Sequence, residues 1–81
     1  MPHYRTRMIN SEFDITNEDG VFHDSVEEAS KTAIITAIDV ARGLFASGER
    51  CPHIEIYILD GEETVARHMV RVDVTDVAVS L

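Results

Sequence analysis

One segment constrains the fold of this 81-residue chain more than any other. From Asp24 to Glu49 the sequence reads DSVEEASKTAIITAIDVARGLFASGE, and its apolar residues recur at the three- and four-residue spacing of an amphipathic helix. They fill about half of the helix circumference: Val26, Ala29, Ala33, Ile34, Ala37, Ile38, Val40, Ala41, Leu44 and Phe45. A helix with so wide an apolar face must be covered by another layer of structure.

The ends of this helix carry local signals. Ser25 and Glu28 have the spacing of a capping box, in which the serine hydroxyl accepts from the Glu28 amide and the carboxylate reaches back to the Ser25 amide. Gly48 favours termination. We predict a helix over about residues 25–47, roughly 30 Å long. Ile35 is the one large apolar residue on its polar side.

Alternating apolar and polar residues predict strands on both sides of the helix. The candidates are His3–Ile9, a short run with Phe13 and Ile15, HIEIYIL from His53, and Thr64–Val74. Asp-Gly turns separate them, in NEDG and DGEE. The register of the last strand stays open, since a bulge would exchange its faces midway. The tail, about residues 75–81, is predicted either to extend this strand or to be flexible.

The order strand, strand, helix, strand, strand predicts one domain over residues 1–81, a two-layer α+β fold (ββαββ). In this fold one long helix packs on a four-stranded, mainly antiparallel sheet. Small alanines allow a helix to approach a sheet closely. We therefore expect the helix to lie on Ile54, Ile56 and Ile58, together with Val70 and Val72.

The opening MPHYRTRMINSEFDI, the EDGVFHD turn and the helix start SVEEASKTA together resemble a family of short alphaproteobacterial proteins of unknown function that begin Met-Pro-x-Tyr. The resemblance covers most of the chain and implies a fold rather than an activity. The chain departs from the family pattern at Asp24, Ser25 and Val26, where the family has proline, aspartate and leucine. The Glu27-Glu28-Ala29 start also resembles HicB-type antitoxin domains, which lead from strands into such a helix.

Composition narrows the class of protein. The formal net charge of −8 disfavours nucleic acid on average. The only cysteine, Cys51, excludes an internal disulfide, and the first ten residues contain no apolar stretch typical of a signal peptide. We therefore predict a cytoplasmic protein without a membrane segment.

No motif points to catalysis. His3, His23, His53 and His68 fall on different elements without metal-ligand spacing. Cys51 and His53 lie two residues apart, but Pro52 separates them and no orienting group is evident. DITNEDG fails as a calcium loop because isoleucine and valine occupy ligand positions. We predict no catalytic, cofactor-binding or metal-binding residue, and no enzymatic activity.

Arginines with even spacing mark the first and last predicted strands. A candidate interaction surface follows on the sheet face away from the helix: Arg5, Arg7, Tyr57, Leu59, Arg67, Met69 and Arg71, with Ile9 and Val65 beside them. Arginine, methionine and aromatic residues are enriched at interfaces, so we predict a homodimeric protein-interaction domain. Two alternatives stay open for the arginines. They pair with Asp14, Glu55 or Asp73 on adjoining strands or with acidic side chains of a second copy, or they serve an antitoxin-like or nucleic-acid-associated regulator.

Overall fold

The structure is a computed structural model that describes residues 3–79. Its elements, in chain order, are β1 (His3–Asn10), β2 (Phe13–Thr16), β3 (Val21–Phe22), α1 (Val26–Ala46), β4 (His53–Asp60) and β5 (Glu63–Arg71). The last two residues of the predicted tail lie outside the described range. From Asp73 to Val79 the chain is exposed and has no regular secondary structure.

The strands form one sheet in the order β2-β1-β4-β5, and every pairing is antiparallel. The predicted α+β fold, with one helix on an antiparallel sheet, is confirmed. The predicted count of four strands misses β3, which pairs with β1 through His3↔Phe22 and Tyr4↔Val21. The β2 pairing with β1 ends at Arg7↔Thr16, so β3 continues the same edge after the turn at Gly20.

Helix α1 begins and ends within one residue of the predicted bounds of about 25–47, with Ser25 and Ser47 as its caps. The Glu28 amide donates to the Ser25 hydroxyl at 3.1 Å, which is half of the expected capping box. The Glu28 carboxylate instead lies 3.4 Å from Nδ1 of His23. At the other end Gly48 has a φ of 115°, and the amides of Gly48 and Glu49 bond to the carbonyls of Phe45 and Leu44. These two bonds are the Schellman motif, which left-handed glycine permits.

The helix lies mainly over β4 and β5, contacts β1 less, and does not lie over β2 or β3. Ala29, Ala33, Ala37 and Ala41 are buried on the fully buried Ile54, Ile56 and Ile58 of β4, as predicted. Strands are spaced about 4.8 Å apart and a helix is about 10 Å wide, so α1 covers only about two strands. The apolar arc of the helix is wider than the surface it covers: Ile38 is 52% exposed and Phe45 is 41% exposed.

The last strand contains the anticipated irregularity. Its register shifts between Ile58, which pairs with Ala66, and Leu59, which pairs with Thr64, so Val65 is the extra residue of a bulge. Val65 is half-buried and packs against the core, so its predicted place on the outer face is wrong. The bulge brings Val65 to the core beside Ala66 and leaves Arg67, Met69 and Arg71 on the outer face.

Candidate interaction surfaces

All seven residues of the predicted interaction surface share the sheet face opposite α1, here called the outer face. Arg7, Tyr57 and Arg67 are direct cross-strand neighbours, and Arg5 pairs with Leu59. Met69 and Arg71 follow Arg67 at two-residue spacing on β5, which keeps their side chains on the same face. The structure thus brings the predicted residues together. That they bind a partner stays a prediction.

Most of the arginine charge on the outer face is already paired. Arg7 Nε donates to Asp14 Oδ1 at 2.8 Å, and a second guanidinium nitrogen bonds the other carboxylate oxygen. Arg5 contacts Glu18 at 3.1 Å, and Arg71 contacts Asp73 at 3.4 Å. The hydrogen bonds from Arg7 lower the pKa of Asp14, and the hydrogen bond to Asp14 raises the pKa of Arg7. These pairs favour the interpretation of a solvated, internally neutralised strand face.

Arg67 differs from the other three arginines of the outer face because it contacts an aromatic ring rather than a carboxylate. Its guanidinium carbon lies 5.1 Å from the ring centroid of Tyr57, a cation–π geometry, and no carboxylate pairs with Arg67 among residues 3–79. The Tyr57 hydroxyl contacts Glu55 at 3.2 Å. The Arg67 guanidinium therefore packs on the Tyr57 ring, and its charge is available to an acidic group.

Strand β5 forms an open edge of the sheet. Within the described chain it pairs only with β4. The Val72 amide donates to the Pro52 carbonyl at 2.9 Å, on the side of β4. The N–H and C=O groups of successive residues point to opposite sides of a strand. Since Val72 points towards β4, the amides and carbonyls of Arg67, Met69 and Arg71 point away from it. Such a row of open backbone groups is a template for pairing with another strand.

An apolar stripe on α1 lies beside this edge. The sequence analysis did not predict that these helix residues form an exposed surface. Ile34 and Ile35 line a groove of about 480 Å³ between the helix and β5, with Val26, Ala66 and His68. Ile38 and Phe45 follow Ile34 at helical spacing on the same side and are exposed. The sequence contained a signal for this surface: the apolar residues fill about half of the helix circumference, which is more than one helix can bury against a sheet. The helix stripe below means Ile34, Ile35, Ile38 and Phe45.

The floor of this groove is fixed by a polar contact. Nε2 of His68, on the helix-facing side of β5, lies 2.8 Å from the hydroxyl of the buried Ser30. His68 is half-buried, as expected for a histidine at the edge of the core. The contact joins α1 to β5 and thereby holds the helix stripe next to the open backbone groups.

A second apolar groove, of about 550 Å³, lies on the opposite side of α1, where the helix does not cover β1 and β2. Met8, Phe13, Ile15, Val21 and Val40 are among its lining residues. Ile15 is 62% exposed there. The chain therefore exposes apolar surface on both flanks of the helix. Each flank ends at an edge of the sheet, formed by the short β2 and β3 on one side and by the nine-residue β5 on the other.

The structure does not group the cysteine, histidine and acidic residues that were considered as candidates for a metal-binding or catalytic site. The Cys51 thiol donates a hydrogen bond to the Asp73 carboxylate over 3.9 Å. Within residues 3–79 no three His, Cys, Asp or Glu side chains are grouped as metal ligands. Neither observation tests the prediction that the protein has no metal or enzymatic activity.

Comparison with protein-family models, curated proteins and solved structures finds no match. The resemblance to the Met-Pro-x-Tyr family and to HicB-type domains stays a prediction. Helix α1, in the part of the chain that is described, lacks the apolarity needed to cross a bilayer.

Proposed function

We propose that this protein is a non-enzymatic protein-interaction domain that works as a homodimer. The observation that carries the proposal is the coincidence, on one flank, of the open β5 edge and the helix stripe. Open strand backbone and exposed apolar side chains each favour burial in an interface. Here they lie side by side and are held together by the His68–Ser30 contact.

The proposal uses only part of the surface predicted from sequence. Arg67, Met69 and Arg71 lie on β5 and border the open edge. Arg5 and Arg7 lie on β1, two strands away, and contact Glu18 and Asp14. Exposed apolar side chains of the outer face lie at both edges of the sheet: Met69 of β5 is 56% exposed, and Phe22 of β3 is 62% exposed. The interface we propose is therefore the β5 flank rather than the whole outer face.

The competing function is that of an antitoxin-like or nucleic-acid-associated regulator. It requires several cations free to contact phosphates. The pairing of Arg5, Arg7 and Arg71 with carboxylates, together with the net charge of −8, argues against it. Arginine pairs of this kind favour the homodimer proposal over nucleic-acid binding.

Light scattering on the purified chain at tens of micromolar tests the proposal. A homodimer has a mass of about 18 kDa, twice the chain mass of 9.1 kDa. Ile38→Glu places a charge in the helix stripe and should shift the mass to that of one chain. Ile15→Glu is the matched control, because Ile15 is similarly exposed but lies in the opposite groove.

The control variant should keep the dimer mass. A wild-type mass of one chain throughout this concentration range would refute the proposal. Loss of the dimer in Ile15→Glu but not in Ile38→Glu would move the interface to the other flank. Circular dichroism of both variants should match the wild type, since both side chains are exposed in the single chain.

A further inference from the structure

Resting on the proposed homodimer, we infer that two copies pair their β5 strands antiparallel with Val70 on the twofold axis, and that each tail then continues β5 along the partner. In this arrangement Val70 of one copy lies opposite Val70 of the other. Arg67 of one copy lies opposite Asp73 of the other, and His68 lies opposite Val72.

Backbone geometry makes this register possible. Arg67, Met69 and Arg71 direct their open groups away from β4, as the Val72–Pro52 bond establishes. With Val70 on the axis, Met69 of one copy and Arg71 of the other form a hydrogen-bonded pair, and Val70 forms a non-hydrogen-bonded pair with its copy. Arg67 and the opposite Asp73 form the next hydrogen-bonded pair. Each open group of β5 thereby gains a partner.

Charge disfavours the registers that have the twofold axis at His68, Met69 or Arg71. An axis at Met69 places Arg67 opposite Arg71, and an axis at Arg71 places Arg71 opposite itself. An axis at His68 places Asp73 opposite Glu63. Like charges directly opposite each other destabilise a strand pair. An axis at Val70 instead places Arg67, the arginine without a carboxylate partner in the described chain, opposite an aspartate.

The apolar groove beside β5 fits the same register. Val72 and Val74 of one copy come beside His68 and Ala66 of the other, on the helix-facing side of the sheet. His68 and Ala66 line the groove with Val26, Ile34 and Ile35. In the single chain Val74 is 41% exposed, and among residues 72–79 the Val72 amide makes the one backbone hydrogen bond to another segment. In the dimer, Val72 and Val74 of one copy would therefore cover the groove of the other copy and be buried by it.

Disulfide trapping in a Cys51→Ser background tests the register. A non-hydrogen-bonded antiparallel pair has a Cα separation of about 4.5 Å, which is within the range that a disulfide spans. Val70→Cys should therefore form a covalent dimer under mild oxidation, whereas His68→Cys and Met69→Cys should not. Light scattering on the reduced variants runs in parallel and reports whether the dimer itself is intact.

A charge exchange provides a second test that requires no disulfide. Arg67→Glu and Asp73→Arg should each weaken the dimer about tenfold, and the double variant should recover to within about threefold of the wild type. Additive weakening in the double variant would overturn the register.

The outcomes separate the two proposals. Trapping through His68→Cys or Met69→Cys, or through none of the three in a protein that is still dimeric, overturns the register and leaves the homodimer standing. A wild-type chain that is monomeric overturns both. Trapping through Val70→Cys alone, with recovery in the charge exchange, supports the register.

Discussion

Nε2 of His68 lies 2.8 Å from the hydroxyl of Ser30, so a single polar contact joins β5 to α1 at the edge of the core. Ser30 is buried and His68 is half-buried. Hydrogen bonds between partly buried groups contribute more when one partner cannot be replaced by water. This contact sets the distance between the helix stripe and the open strand edge.

Ser30→Ala should lower the free energy of unfolding by about 1–3 kcal/mol, because it leaves the His68 imidazole without its partner. Thr36→Ala is the matched control, since the Thr36 hydroxyl bonds only to the exposed Thr32 carbonyl of its own helix. We expect the control to change stability by about 0.5 kcal/mol or less. Urea denaturation, monitored by circular dichroism, measures both. Equal losses of stability in the two variants would show that the Ser30–His68 contact contributes no more than an exposed helix hydroxyl.

The turn before β3 depends on Gly20 for two reasons. Its φ is +68°, and an added Cβ would lie 2.9 Å from the Tyr4 carbonyl oxygen and closer still to the His3 ring. Gly20→Ala should therefore cost about 2–4 kcal/mol, from left-handed strain together with the steric clash.

Gly61→Ala is the control for the strain alone. Gly61 has a φ of +63° with open space around the position of a Cβ. We expect a cost of about 1–2 kcal/mol there. Denaturant midpoints of the two variants give the comparison, and an equal loss would show that the clash at Gly20 relaxes freely.

The Arg7–Asp14 pair gives a pH dependence with a definite sign. Hydrogen bonding to Arg7 lowers the pKa of Asp14 in the folded state. The stabilising contribution of Asp14 is therefore present above its unfolded pKa of about 3.9 and is lost as pH falls through the lower folded value. In Arg7→Gln the pKa of Asp14 should rise towards the unfolded value.

Carboxyl chemical shifts in an NMR titration measure this change directly. Arg42→Gln serves as the control, because Arg42 pairs with Asp39 on the exposed helix surface, away from Asp14. An Asp14 pKa that is the same in the wild type and in Arg7→Gln would contradict the pairing.

Nucleic-acid binding provides a prediction that separates the homodimer from the regulator. We expect no salt-dependent mobility shift with RNA or with duplex DNA, because the arginines of β1 contact carboxylates. A shift that weakens with salt and disappears in the double variant Arg5→Ala, Arg71→Ala would favour the regulator instead.

Sequence patterns predicted the elements better than their lateral arrangement. Ser25 and Gly48 marked the helix ends through local chemistry, and the alternation around Ile54, Ile56 and Ile58 marked the buried strand face. These signals are local, so one sequence is sufficient to read them. The short strand β3 was missed because its two residues gain their pairing only from the neighbouring β1.

The candidate surface shows a different limit of sequence reasoning. The even spacing of arginines correctly placed Arg67, Met69 and Arg71 on the outer face, but spacing does not reveal which arginine meets a carboxylate. Nor does a helical pattern reveal how many strands lie beneath it. Ile38 and Phe45 belong to the apolar arc by pattern, and they are exposed because one helix covers only about two strands.

Hydrogen exchange of the Met69 amide, followed by NMR against protein concentration, tests the homodimer most directly. The Met69 amide points to the open edge, whereas the amide of Val70 points towards β4 and serves as the internal reference. We predict that protection of the Met69 amide rises with concentration until it approaches that of Val70. A Met69 amide that exchanges rapidly at every concentration, beside a protected Val70, would contradict the account.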